Sequence, residues 1–161
     1  MWVGIGTLVL GVLMLAFGVS FVLEANSSRN WPTAQGTVET IRVTWRNDST
    51  SNQTIPDREY FYEIYYDYQV DGQAYSGSRY SLGDGSTASD RVYRTEEEAR
   101  EAAFDAWTPA QVVAVYYDPA DPASAVLNPG ANTGTYVPLI FGAVLLLSGL
   151  GILWLYLRQR T

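Results

Sequence analysis

The chain has 161 residues, and its 10 basic residues, all Arg, face 17 Asp and Glu for a net charge of -7. So acidic a surface is a poor counterion for phosphate, which sets nucleic-acid binding aside. With no Cys and no His there is no disulfide, no thiolate nucleophile and no imidazole to act as a base or metal ligand; the lysine-free, acid-rich balance fits either a halophilic source or codon bias.

The apolar residues are concentrated at the two ends. No charged residue falls between Trp2 and Leu23, and none between Thr135 and Leu157. Each run exceeds the roughly 20 residues that cross a bilayer at about 1.5 Å per residue, so residues 2–23 and 135–157 are expected to be transmembrane helices. A cleaved signal peptide is the competing reading of the first run. No Lys or Arg precedes it, however, and it is longer than the apolar core of a leader. Residues 24–134 carry all 17 acids and eight of the Arg, a net of -9. They form the intervening domain. Arg158-Gln159-Arg160 after the second run favours the cytoplasmic side. Residues 158–161 then form a cytoplasmic tail, both termini are cytoplasmic, and the domain is extracytoplasmic in a cell membrane crossed twice.

Gly4, Gly11 and Gly18 lie seven apart, as do Gly142 and Gly149. Seven residues are two helical turns, so each set makes one small-residue stripe that lets helices approach closely. A helical hairpin and a homodimer both use such a stripe.

Within the domain, Asn26 to Asn30 reads as a polar linker and Thr37 to Trp45 as a half-buried strand. Arg46 to Arg58 reads as a loop. Glu59 to Val70 is the clearest strand. Tyr60, Tyr62, Ile64, Tyr66, Tyr68 and Val70 alternate with Phe61, Glu63, Tyr65, Asp67 and Gln69. Asp71-Gly72 is a two-residue hairpin turn needing positive φ, with a return strand over Gln73 to Tyr80. Leu82 to Asp90 reads as a loop. Thr95-Glu96-Glu97-Glu98 is a capping box opening a helix that ends near Trp107. Val112 to Tyr117 reads as the last strand, closed by Asp118-Pro119 and Asp121-Pro122, where Pro withholds an amide. The expected architecture is a membrane helical hairpin bracketing a small α+β domain, mostly antiparallel sheet or a partly open barrel with one helix.

Trp31-Pro32-Thr33-Ala34-Gln35-Gly36-Thr37-Val38, Val70-Asp71-Gly72, and Val115-Tyr116-Tyr117-Asp118-Pro119 with Asp121-Pro122 and Leu127 occur together. The combination resembles the small membrane proteins grouped as domain of unknown function 3592. Ala110 stands where that family usually has Gly. The resemblance implies architecture, with Trp31, Pro32, Gly36, Asp71, Gly72, Asp118, Pro119, Asp121 and Pro122 as structural positions. It implies no activity.

Three kinds of site come into question. Asp118 and Asp121, with Asp84, Asp90 or Glu63, carry the oxygens a hard cation takes, but their spacing matches no cation loop, and Asp beside Pro commonly caps turn amides. No metal and no cofactor is therefore assigned. The aromatic strand offers flat amphipathic rings for a peptide or sugar; Phe61 and Tyr65 on its mixed face, with Tyr116 and Tyr117, are the candidate interaction surface. Asn26, Asn47 and Asn52 begin glycosylation sequons. A catalytic set is not evident, since there is no Ser-Lys pair and no phosphate loop. The expected function is that of a non-enzymatic membrane protein whose outward domain is an interaction, sensory or accessory module in the envelope. The partners are the lipid bilayer and another envelope protein, or the chain itself through its Gly-striped helices. A carboxylate-dependent envelope hydrolase or carbohydrate-active protein, and a structural subunit of a membrane complex, are the alternatives.

Overall fold

A computed structural model describes residues 2–48, 58–89 and 91–158. The chain divides into two compact units, one of residues 1–27 and 131–161, the other of residues 28–130.

The first unit is a pair of long helices, α1 (Trp2–Ser27) and α3 (Thr133–Arg158), both long and apolar enough to cross a membrane. Asn132 caps α3: its Oδ1 accepts the Thr135 amide at 3.1 Å and the Thr135 hydroxyl at 2.9 Å. This answers an amide that the first helical turn leaves without an intrahelical partner. The buried residues of α1 are Gly4, Gly11, Gly18 and Ala25, and those of α3 are Thr135, Gly142 and Gly149. The large apolar side chains around them, such as Leu13, Phe17, Leu147 and Trp154, are exposed. The helices therefore meet along small residues and turn their bulk outward, the reverse of a water-soluble pair.

The second unit is an open, five-stranded antiparallel sheet in the order β3-β2-β1-β4-β5. In chain order these are β1 (Thr33–Asn47), β2 (Arg58–Val70), β3 (Gln73–Gly77), β4 (Val112–Asp118) and β5 (Asp121–Val126), with helix α2 (Glu96–Ala106) between β3 and β4. The alternation in β2 decides which side is core. Tyr62, Ile64, Tyr66, Tyr68 and Val70 are buried, whereas Asp67 and Gln69 are exposed. Around this inner face there are two apolar clusters. Val38, Tyr62, Ile64 and Tyr93 pack with Ala99 and Ala103 of α2 in one, and Tyr66, Tyr68, Val70, Val115 and Ala125 form the other.

The turns follow from local chemistry. Asp71 (φ 51°) and Gly72 (φ 81°) both take positive φ, the primed hairpin whose twist suits the flanking strands. Thr95 accepts the Glu98 amide at 3.2 Å, and Glu98 reaches back to the Arg94 amide at 3.3 Å, one residue earlier than a capping box requires.

Several boundaries differ from the sequence reading. The expected linker from Asn26 is helix to Ser27 and then a 3₁₀ turn, Ser28–Asn30. β1 begins at Thr33 and runs to Asn47, because Thr33 to Thr37 pair with β4, the first three of them before the ladder with β2 begins at Gly36. The stretch expected to be the last strand is followed by β5, so Asp118 to Asp121 is a hairpin. The region expected to be a loop, Leu82 to Asp90, touches the sheet through the bridge Glu63–Thr87, and beyond it Tyr93 bridges Tyr60. Curvature brings the outer strands β3 and β5 close together; just beyond them, the Tyr80 carbonyl accepts the amides of Leu127 (3.1 Å) and Asn128 (2.7 Å).

Ala110 adopts φ 64°, where a Cβ meets the following carbonyl oxygen. Its amide is held by the Val38 carbonyl at 2.9 Å, so the conformation is kept at the expense of the side chain. Ala110→Gly is expected to raise the unfolding free energy by about 0.5–1 kcal/mol, the steric relief exceeding the added freedom of the unfolded chain. Urea titration of the two proteins checks this.

Candidate functional site

The outer face of the sheet is where β2 presents the residues the core does not use. Across β1 and β2 the ladder sets Arg42 opposite Glu63, Thr44 opposite Phe61 and Arg46 opposite Glu59. The Arg42 guanidinium lies 4.7 Å from the Tyr65 ring centroid and that of Arg46 lies 5.7 Å from the Phe61 ring. Arg46 Nε also donates to Glu59 Oε2 at 2.8 Å. Arg42 Nη1 donates to the Tyr65 hydroxyl at 3.3 Å, which donates to Glu63 Oε2 at 3.1 Å, and Ser86 donates to Glu63 Oε1 at 2.7 Å. Burial first, and then the Glu63 carboxylate, hold the Tyr65 phenol above its ordinary pKa. On the opposite face of the same strand pair, Arg58 stacks 4.3 Å from the Trp45 ring centroid. On the outer face, flat rings and planar guanidiniums alternate. Beside them is a groove of about 380 Å³ lined by Arg46, Phe61, Asp84, Thr87 and Arg91.

The four aromatic candidates do not share one surface. Phe61 and Tyr65 stand on the outer face. Tyr116, opposite Thr33 in the ladder, also turns away from the core, but Thr33 lies seven residues from Thr40, the partner of Tyr65, or about 20 Å along the strand. Tyr117 packs against the second core cluster. Sequence reasoning did not single out Arg42 and Arg46. The signal was present: two Arg four residues apart alternate with Val43 and Trp45, and Glu59 and Glu63 repeat that spacing in the next strand.

Three of the carboxylates considered for a cation, Glu63, Asp84 and Asp118, are engaged locally. Asp118 Oδ1 accepts the Ala120 amide at 2.8 Å, a turn bond. Asp84 accepts from the Ser81 hydroxyl at 3.0 Å. Asp90 lies outside the described residues. Among the described residues no three Asp or Glu converge as ligands. Of the sequon asparagines, Asn26 lies in α1 and Asn47 ends β1; Asn52 lies outside the described residues.

The motif residues fix strand ends and close approaches. The Trp31 amide donates to the Ser28 carbonyl at 3.2 Å, and the Pro32 carbonyl accepts the Tyr117 amide at 3.1 Å, extending the β1–β4 ladder. A Cβ on Gly36 would stand 2.5 Å from Val115 Cγ2 and 3.0 Å from the Asp67 carbonyl. The Pro122 carbonyl accepts the Tyr68 hydroxyl at 2.7 Å. Pro is tolerated there because β5 is an outer strand. Ser28 Oγ accepts the Gly130 amide at 2.9 Å, tying the first residue of this unit to its last.

The helix-stripe glycines are used between α1 and α3. A Cβ on Gly11 would stand 2.7 Å from the Leu146 amide, on Gly18 2.6 Å from that of Leu139, on Gly142 2.6 Å from that of Leu15 and on Gly149 2.9 Å from that of Leu8. A Cβ on Gly4 meets Ile152 Cγ2 at 3.1 Å.

Fold and site together define a protein with an open antiparallel sheet domain, flanked in sequence by two helices long and apolar enough to span a membrane. The model of the family described as Domain of unknown function (DUF3592) matches residues 34–132, more than half of the chain. The chain belongs to that family. No curated protein matches it.

Proposed function

We propose that the chain is a non-enzymatic, two-span membrane protein. Its sheet domain faces outward from the cell, and it works as an interaction, sensory or accessory module of the envelope. The observation that carries this reading is the outer sheet face. There Arg42 and Arg46 stack on Tyr65 and Phe61 in a surface that serves neither apolar cluster. Rings and guanidiniums of this kind are enriched where proteins meet partners, because they supply large contact area at low entropic cost. The orientation is supported by the positive tail at Arg158 and Arg160.

Two measurements test it. The chain has no Cys, so single cysteines report sidedness in intact cells. Glu39→Cys should react with an impermeant maleimide and Thr161→Cys should not; the opposite pattern overturns the orientation. Pull-down from gently solubilised membranes should recover a partner that the Phe61→Ala, Tyr65→Ala double variant loses. Recovery unchanged by that variant removes the outer face from the function.

A further inference from the structure

Among the described residues, the outer half of β1 is an edge. β4 pairs with β1 only from Thr33 to Thr37. Val38 ends that contact, donating to the Gln111 carbonyl and accepting the Ala110 amide, both at 2.9 Å. From Thr40 to Asn47, β1 pairs with β2 and, among the described residues, with no strand on its other side. Thr40, Arg42, Trp45, Arg46 and Asn47 are exposed there. The two outer strands of the sheet lean toward each other instead. An exposed row of amides and carbonyls is a template for an added strand.

The paired side of β1 shows what such a strand must carry. On the outer face β2 sets Glu63 and Glu59 opposite Arg42 and Arg46; on the inner face it sets Ile64, Tyr62 and Tyr60 opposite Ile41, Val43 and Trp45. The free side presents the same two rows. One is cationic, Arg42-Thr44-Arg46. The other is apolar and incompletely covered: Ile41 and Val43 are half-buried and Trp45 is 48% exposed. A second copy of this edge, added antiparallel, keeps the faces and lays its Arg row against this one, a like-charge arrangement that is destabilising. A segment with carboxylates on one face and apolar residues on the other satisfies both rows.

We infer that the Thr40–Asn47 edge of β1 takes, by strand addition, an extended peptide of the pattern Glu-apolar-x-apolar-Glu. This rests on the reading of the domain as an interaction module and names the chemistry of its partner.

The test uses the full chain in nanodiscs, with empty nanodiscs as control. The probe is a fluorescein-labelled peptide Ser-Glu-Val-Thr-Val-Glu-Ser, read by anisotropy against the same peptide with Lys for both Glu. The acidic peptide is expected to bind about tenfold more tightly. Val38 points its amide and carbonyl away from β2. Strand alternation, displaced by one residue at the irregularity between Val38 and Thr40, points those of Ile41, Val43 and Trp45 the same way. Val43→Pro therefore removes a donor from the free edge and spares the β2 ladder; with circular dichroism unchanged, it should abolish binding. If that variant misfolds, Arg42→Glu with Arg46→Glu carries the test and should invert the preference to the Lys peptide. Equal binding of both peptides, or an unaltered preference in the double Arg variant, overturns the inference. So does a concentration-dependent dimer that Val43→Pro dissolves while neither peptide binds, which assigns the edge to a second copy. Failure here, with partner recovery still dependent on Phe61 and Tyr65, leaves the module reading standing and removes only the strand-addition mode.

Discussion

Gly11→Leu and Gly149→Leu are each expected to weaken the α1–α3 pair by about 1–3 kcal/mol, the usual range for forcing extra atoms into a packed contact. The cause is backbone, which cannot give way as a flexible side chain would. A Cβ at Gly11 meets Leu146 N at 2.7 Å and Cα at 3.0 Å, and one at Gly149 meets Leu8 N at 2.9 Å. In a lipid or detergent environment no hydrophobic gain offsets the lost close approach, because the lipid chains are as apolar as Leu. Gly6 and Gly151 supply the control, since a Cβ at either finds nothing within 4 Å; Leu there should change the pair by less than about 0.5 kcal/mol. The cysteine-free background allows pyrene labels at Trp2→Cys and Trp154→Cys, and excimer emission during titration with dodecyl sulfate reads the separation. Equal effects at all four positions would mean that the glycine stripe does not hold the helices together.

Tyr66→Ala is expected to destabilise the sheet domain by about 3–5 kcal/mol, a large share of the 5–15 kcal/mol typical of a small domain. Tyr66 is fully buried. Its hydroxyl shares its one proton between the carbonyls of Arg79 at 2.9 Å and Ala125 at 3.1 Å, so one side chain reaches both outer edges of the sheet. A Cβ on the facing Gly77 would reach that ring at 2.7 Å, which leaves no room for it to shift. Tyr66→Phe keeps the ring and loses only the hydrogen bonds, and should cost about 1–2 kcal/mol. The same burial gives a pH signature. It holds the folded-state phenol of Tyr66 well above its ordinary value, with Tyr68 adding to the rise and Arg79 opposing it. A folded pKa raised above an unfolded value of about 10 means the stabilisation is whole below pH 10 and is lost as pH climbs toward the folded value. Tyr68 is raised in the same sense. Urea midpoints taken from pH 8 to pH 11 should therefore fall, and fall less steeply in Tyr66→Phe than in the parent. Parallel slopes would exclude Tyr66 as the source.

What was legible in the sequence is what depends on neighbours close along the chain. The alternation of β2, the Asp71-Gly72 turn and the Thr95 cap each rest on a handful of adjacent residues. The two apolar runs need only length and the absence of charge. β5 was missed because Asp118-Pro119 and Asp121-Pro122 read locally as stops. Pro122 is admitted only because β5 lies outermost and its carbonyl has a use, accepting from Tyr68 in a strand far away in sequence. The early start of β1 depends on β4, which pairs with it some eighty residues later. The outer-face stacking was partly visible as aromatic residues, but its guanidiniums were not. Which Arg covers which ring is set by strand register and by the irregularity between Val38 and Thr40, and no local pattern states that register.

The bond between Ser28 and Gly130 has a mechanical consequence. A folding unit whose two ends sit within hydrogen-bond reach closes its own loop of chain. It can therefore be lifted out of one host sequence and set into another with little rearrangement at the seam. Tension applied at the two flanking segments enters at adjacent points, so it loads that seam first and peels the sheet open from there, without stretching it end to end.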